Sequence, residues 1–257
     1  MIDAYCHLDM SAEQPLVDLA QRMDDAGIDR ALIVETWSGD NHACLRQLIA
    51  SPSTRFRIAP CFRAEEAQLS VELLSSKTVR ALRVKTADLQ QLGEIAAILE
   101  SKGKWLLPHA ESGIRALAEE LVRLTALHPS LSIYVPHMGW PRRDRQDDND
   151  WHESISALCS LPNLIIGISA IAHFSREDFP HNDVAPFAAR LLATFGEASL
   201  VAASDYPLFE KDRYAQYMQL ARRWIAGGSP CLQRLEASLF GENSQIRRDE
   251  RWRESVS

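Results

Sequence analysis

Residues 105–138 read WLLPHAESGIRALAEELVRLTALHPSLSIYVPHM. The two ends, WLLPHA over 105–110 and SIYVPHM over 132–138, are short, apolar and rich in strand-forming residues. The middle, 114–127, is amphipathic with helical spacing. Strand, helix, strand in so short a span implies two parallel strands joined by a helical crossover.

The same alternation extends outward in both directions. Towards the N-terminus lie strands over 79–85 (VRALRVK), 56–62, 31–37 (ALIVETW) and 2–8 (IDAYCHL). The helices between them are predicted over 89–100, 65–74, 41–49 and a segment with Leu16, Leu19, Ala20 and Met23 on one face, stopped by Gly27. Towards the C-terminus lie strands over 164–170 (LIIGISA) and 199–208 (SLVAASDYPL), with helices over 151–159, 184–195, 213–225 and 231–240. Eight such units in 257 residues match the size of a (β/α)8 TIM barrel, an α/β fold. An open doubly wound sheet would show a Gly-rich first turn, and no G-x-G-x-x-G follows any strand. No linker or composition break interrupts the chain, so residues 1–257 are read as one domain. Two segments stand apart: the charged loop 141–153 (PRRDRQDDNDWHE), read as a solvated loop or an active-site lid, and a frayed, highly charged tail over 247–257.

Composition narrows the function. The chain is 46% hydrophobic and 25% charged, as ordinary globular proteins are. At this length it buries roughly three quarters of its unfolded surface and needs no disulfides to fold. A formal net charge of −7 argues against nucleic-acid binding. No apolar run approaches the roughly 20 residues of a membrane span, and no secretory signal is visible at MIDAYCHLDM. Five scattered Cys (Cys6, Cys44, Cys61, Cys159 and Cys231) without a C-x-x-C pair read as reduced thiols in a cytoplasmic protein. The expected partner is a small-molecule substrate, and barrels of this size often form homodimers.

In a barrel the chemistry sits where strands end at their C-terminal side. Strand one ends in Tyr5-Cys6-His7, strand five in His109, strand six in His137 and strand eight in Ser204-Asp205-Tyr206. Regular alternation puts Asp3, Tyr5 and His7 on one face and Cys6 on the other. Three imidazoles and a carboxylate on four strands suit a divalent metal, most often zinc, with His7, His109 and Asp205 as ligands. His137 is then free to stabilise a developing oxyanion. Arg63, Arg83 and Lys85 end strands three and four and make a cationic patch for a substrate carboxylate. Trp37 and Trp140, also at strand ends, line an apolar wall or pack the rim. His42, His128, His152, His173 and His181 fall elsewhere, mostly on the surface, with His173 and His181 near the same mouth.

Together these pieces resemble the amidohydrolase superfamily, in its amidohydrolase-related group of metal-dependent hydrolases, lactonases and non-oxidative decarboxylases. The matching pieces are IDAYCHL, LPHA, VPHMGWP, SDYPL and LFGENSQ, each of the first four at a strand end. The resemblance makes His7 the second His of the family's H-x-H, His109 the strand-five ligand and His137 the strand-six His. It makes Asp205 the base that takes a proton from attacking water. One departure stands out: Tyr5 occupies the place of the first His, and a neutral phenol is a hydrogen-bond donor rather than a zinc ligand. Two routes stay open. A metal is held by His7, His109 and Asp205, or Asp205 activates water directly while His and Tyr5 polarise the carbonyl, as lactonases of this group do without metal. The resulting expectation is hydrolysis of an ester, lactone or amide carbonyl on a small carboxylate-bearing substrate. The rivals are a decarboxylase on the same scaffold and an inactive barrel kept as a binding protein. A carboxylated Lys85 bridging two metals is disfavoured by the missing first His. Cys and Ser nucleophiles are disfavoured because Cys6 faces away and Ser204 has no G-x-S-x-G elbow.

Overall fold

The computed structural model describes residues 1–110, 113–142, 149–208, 210–225 and 230–241. Among them are eight strands: β1 (Ile2–Cys6), β2 (Arg30–Val34), β3 (Phe56–Ala59), β4 (Ala81–Lys85), β5 (Trp105–His109), β6 (Ser132–Val135), β7 (Leu164–Ile168) and β8 (Leu200–Ala202). All ladders are parallel, β1-β2-β3 in one set and β4-β5-β6-β7-β8 in the other. Parallel bridges Ile58–Val79 and Cys61–Arg83 link β3 to β4. Beyond the last residue of β8, Asp205 N–H donates to Tyr5 O (3.0 Å) and His7 N–H to Tyr206 O (2.6 Å), joining β8 to β1. The strands therefore follow one another in sequence order around a (β/α)8 barrel, as the alternation predicts.

Strand alternation sorts side chains to two sides. Leu32, Val34, Trp105, Leu107, Tyr134 and Val201 belong to an inner cluster, while Ala31, Ile33, Leu106, Ile133 and Leu200 pack outward against helices. The helices are α1 (Pro15–Ala26), α2 (His42–Ala50), α3 (Ala67–Leu73), α4 (Glu94–Ser101), α5 (Ile114–Leu127), α6 (Asn149–Leu158), α7 (Ile171–Phe174), α8 (Ala185–Phe195), α9 (Tyr214–Trp224) and α10 (Pro230–Phe240). The four-residue α7 was not expected from sequence. The helix expected over 89–100 is instead a 3-10 turn over Thr86–Gln91 followed by α4, broken at Gly93, whose φ is 48°.

α1 shows how local sequence sets an element. Leu16, Leu19, Ala20 and Met23 form its buried face, and Gly27 ends it in the left-handed region at φ 66°. Nothing lies within 4 Å of an added Cβ there, so only backbone strain opposes a side chain. Gly27→Ala is expected to cost about 1 kcal/mol, read as a lower urea midpoint at unchanged slope.

α10 closes the end of the barrel opposite the expected site. Cys231, Leu235, Leu239 and Phe240 join the inner cluster. The guanidinium groups of Arg30 and Arg57, at the starts of β2 and β3, lie 5.0 and 4.6 Å from the Phe240 ring centre. Arg57 also donates to Leu239 O (3.1 Å) and Arg30 to Glu236 (3.1 Å), so cations meet the carbonyl end of the helix.

The first strand departs from expectation. Asp3 pairs with Ala31 and Cys6 with Ile33, so Ala4 and Tyr5 together oppose Leu32. This bulge sends Tyr5 inward and leaves Asp3 on the outward side, so Asp3 does not share a face with Tyr5 and His7. Of the expected lid, residues 149–153 begin α6 and residues 143–148 lie outside the described residues, as do the tail 247–257 and residues 242–245 of LFGENSQ. No helix is long and apolar enough to cross a membrane among the described residues.

Candidate active site

Strand ends carry the site. His7 follows β1 and is buried, and its Nδ1–H donates to Val34 O of β2 (2.8 Å). A carbonyl can only accept, so the proton sits on Nδ1 and Nε2 presents a lone pair. Burial, with the Arg83 charge adding to it, pushes the His7 pKa down to about 3, so the ring is neutral at pH 7. That Nε2 faces Asp205 Oδ1 at 3.8 Å.

His137 follows β6, and its Nε2 also lies 3.8 Å from Asp205 Oδ1. Ser169, just past β7, anchors it: Ser169 Oγ accepts from His137 N–H (3.1 Å) and meets Nδ1 at 2.9 Å. Burial first, then the Arg83 charge, holds His137 well below its ordinary pKa. Asp205 is buried and shifted the other way. Burial drives its carboxyl well above the usual range, Arg83 opposes the shift and Asp3 reinforces it. The contacts at 3.8 Å are therefore not ion pairs; they are neutral imidazoles around a carboxyl whose Oδ1 has no hydrogen-bond partner among the described residues.

Tyr5 completes the floor. Its ring stands edge-on to His137 and His7, at centroid distances of 4.6 and 5.3 Å. Its hydroxyl is buried without a hydrogen-bond partner among the described residues, and burial raises its pKa, so it remains a neutral donor. His109 sits higher, between Trp37 (5.6 Å) and Trp140 (5.3 Å), and Trp140 also flanks His137 (5.2 Å). The backbone is strained here: His137, Met138, Trp140 and Asp205 have φ of 55, 55, 53 and 59°. Left-handed non-Gly residues clustered at two strand ends are the kind of strain that functional sites retain.

The structure thus brings His7, His137 and Asp205 together, with Tyr5 beside them and His109 towards the rim. Among the described residues no group of three or more His, Cys, Asp or Glu side chains is placed to hold a metal ion. The cations divide. Arg83 is buried, donates to Glu35 O (2.7 Å) and lies 4.7 Å from the Trp37 ring centre. Lys85 is exposed, its Nζ 4.9 Å from the same ring. Arg63 is engaged by Glu35 Oε1 at 3.1 Å. His181 is buried and held by Glu177 O (2.8 Å) and Tyr217 Oη (2.9 Å), whereas His173 is exposed.

Sequence reading passed over two residues of this region. Glu35 is almost fully buried beyond β2 and binds Cys61 N–H (2.7 Å) and His42 (3.2 Å) as well as Arg63. It lies within the run ALIVETW, directly after β2, so the strand-end rule applied to His and Asp would have found it if extended to Glu. Ser169 directly follows β7 within LIIGISA, but a serine in an apolar run carries little signal alone.

The family model for amidohydrolases matches residues 4–245. No curated protein is matched. Several solved structures share the fold at low identity. A zinc-bound amidohydrolase from Burkholderia multivorans aligns with TM-score 0.71 and 16% identity over 93% of this chain and 95% of its own. A protein from Pseudomonas putida named as a 2-pyrone-4,6-dicarboxylic acid hydrolase aligns with TM-score 0.69 and 18% identity, over 95% and 98%. A 5-carboxyvanillate decarboxylase from Sphingomonas paucimobilis aligns with TM-score 0.59 and 14% identity, over 93% and 97%. With its strand-end imidazoles and carboxylate in a barrel of this order, and with nearly its whole length matched, the chain belongs to the amidohydrolase family.

Proposed function

We propose that this chain hydrolyses the carbonyl of a small ester, lactone or amide, with a carboxylate-bearing molecule as the preferred substrate. The observation that carries this reading is Asp205 Oδ1, buried and unpartnered, faced by two imidazole Nε2 atoms at 3.8 Å. Asp205 is the base: its raised pKa makes the ionised form a better proton acceptor than an ordinary carboxylate. Tyr5 donates from its free hydroxyl to the carbonyl oxygen, a bond that strengthens as negative charge gathers there. His137 is the second donor. A Ser169 hydroxyl turned towards Nδ1 leaves the proton on Nε2, the tautomer that this role needs. His7 has the opposite tautomer and offers a lone pair. Lys85 and Arg83, 4.9 and 4.7 Å from the Trp37 ring centre, supply the positive charge that attracts the substrate carboxylate.

The family is typically metal-dependent, and one structural neighbour holds zinc. The donor types here fit a divalent ion, since the His7 lone pair and Asp205 Oδ1 face each other across a gap with no proton donor between them. His7 and Asp205 are the residues that would hold zinc, while His109, between Trp37 and Trp140, does not join them in a three-ligand group among the described residues; when bound the ion would supply Lewis acidity that polarises a carbonyl and acidifies water. Elemental analysis of the purified protein and of His7→Ala tests this: stoichiometric zinc lost in the variant supports it, and zinc retained in the variant does not.

The reaction is tested with a panel of lactones, aryl esters and N-acyl amino acids assayed for acid release, beside aromatic carboxylic acids assayed for carbon dioxide. The positive charge of Arg83 and Lys85 beside Trp37 also suits a substrate that loses its carboxylate, and carbon dioxide release without acid formation would establish that second reading. Tyr5→Phe is expected to lower kcat about 10²-fold by removing one oxyanion donor. Its thermal midpoint should not fall, because the lost hydroxyl has no partner.

A further inference from the structure

Asp3 lies outside the chemistry just described, yet its carboxylate is tied to both sides of it. The seam between β8 and β1 is closed by two backbone hydrogen bonds, Asp205 N–H to Tyr5 O and His7 N–H to Tyr206 O, both beyond the last residue of β8. A side chain does part of that work. Asp3 Oδ1 accepts from Ser204 N–H (3.0 Å) and from Tyr5 N–H (3.3 Å), and Asp3 Oδ2 accepts from the Ser204 hydroxyl (2.6 Å). Ser204 Oγ in turn accepts from Tyr206 N–H (3.0 Å), while Asp205 N–H donates to Tyr5 O (3.0 Å). Of the residues flanking Asp205, Ser204 is therefore anchored directly on the Asp3 carboxylate and Tyr206 through the Ser204 hydroxyl, while the bulged Tyr5 is held by the same carboxylate.

We infer that Asp3, acting through Ser204, is the positioning residue that sets Asp205 and Tyr5 against each other across the barrel seam. The link to catalysis rests on the hydrolase reading given above. Asp205 keeps φ 59°, a left-handed conformation unfavourable for a non-Gly residue, and the bonds on both its neighbours hold it there. Geometry of this kind matters because a misplacement of about 1 Å can cost 10²-fold in rate. The cost side agrees. Asp3 is fully buried, and burial pushes its pKa up to about 6 despite the hydrogen bonds it accepts. A carboxylate whose folded pKa is raised loses stability as pH climbs from 3.8 towards 6, so above that range the ionised Asp3 opposes folding. A residue kept only for stability would not carry that penalty.

Asp3→Asn, Ser204→Ala and the double variant test the inference, with p-nitrophenyl acetate and dihydrocoumarin as probes. Each single variant should lose about 10- to 100-fold in kcat with KM within about threefold, and the double should fall no further than Asp3→Asn. The thermal midpoint of Asp3→Asn at pH 8 should equal or exceed that of the parent, the opposite of what a purely structural role requires. Single variants with kcat within about twofold of the parent would overturn the inference. Should the parent cleave neither probe, both of which lack the preferred carboxylate, the hydrolase reading is judged on the wider substrate panel, and crystal structures of the same variants decide the positioning role. A shift of the Asp205 carboxylate by more than about 0.5 Å relative to His7 sustains it, and superposition within that limit overturns it.

Discussion

Asp205→Asn is expected to lower kcat by about 10³- to 10⁴-fold while leaving the protein folded. The amide keeps the shape of the side chain but cannot take a proton from water. Nothing nearby can substitute. His7 and His137 are held far below their ordinary pKa by burial and the Arg83 charge, so each is a weak base where Asp205 is a strengthened one. The pH dependence follows from the same shift. The active form is ionised Asp205, so activity of the parent should rise with pH on its acid limb, centred above the ordinary carboxylate value of about 4. For stability the sign is reversed. The raised carboxyl pKa means that ionisation opposes folding once pH passes the unfolded value, so the Asn variant should melt no lower than the parent near neutrality. Steady-state kinetics from pH 4 to 9 and thermal melts on both proteins check the two halves separately. A variant that retains more than about a tenth of the parental kcat would remove Asp205 from the role of base.

Gly167→Ala is expected to destabilise the protein by about 3 kcal/mol, although Gly to Ala within a strand would otherwise help by about 0.5–1 kcal/mol. The reason is one buried ring. Gly167 opens a space on the inner side of β7, and Tyr134 from β6 fills it. An added Cβ would stand 2.5 Å from Tyr134 Oη, 2.8 Å from Cε2 and 3.0 Å from Cζ. These atoms belong to a stiff, fully buried side chain whose ring packs edge-on against Tyr5 at 6.4 Å. A displaced Tyr134 would press on Tyr5, against which its ring packs, so activity should fall along with stability. Tyr134→Phe in the Gly167→Ala background should recover only part of the loss, since the ring carbons still collide. Tyr134→Leu should recover more. Urea unfolding of the four proteins measures this, and an unaltered midpoint for Gly167→Ala would show that the barrel interior is looser than its contacts indicate.

How much of this was readable in advance depends on the kind of residue. The eight strands could be placed because each is a short apolar run, buried on both faces, that alternates with an amphipathic helical segment, and α1 and α8 stop at glycines, Gly27 and Gly196. His7, His109, His137 and Asp205 stood out because polar groups are costly in apolar runs, and the ends of barrel strands are where such costs are tolerated. Arg63 was legible as a cation at a strand end, but its engagement by Glu35 was not, since the partners are 28 residues apart.

What the linear order of residues determined was the alternation, hence the parallel barrel, and the set of strand ends at which chemistry is possible. That much follows from local periodicity and from the cost of burying polar groups, both of which are properties of short segments. Tertiary structure alone decided the rest. The bulge that turns Tyr5 inward and Asp3 outward depends on how β1 registers against β2. The tautomer of His7 depends on a carbonyl 27 residues away, and the conformation of Asp205 on a carboxylate that reaches Ser204 across 201 residues of chain. Contacts of that separation arise only when the barrel closes, because they are made between strands that are neighbours in space and strangers in sequence.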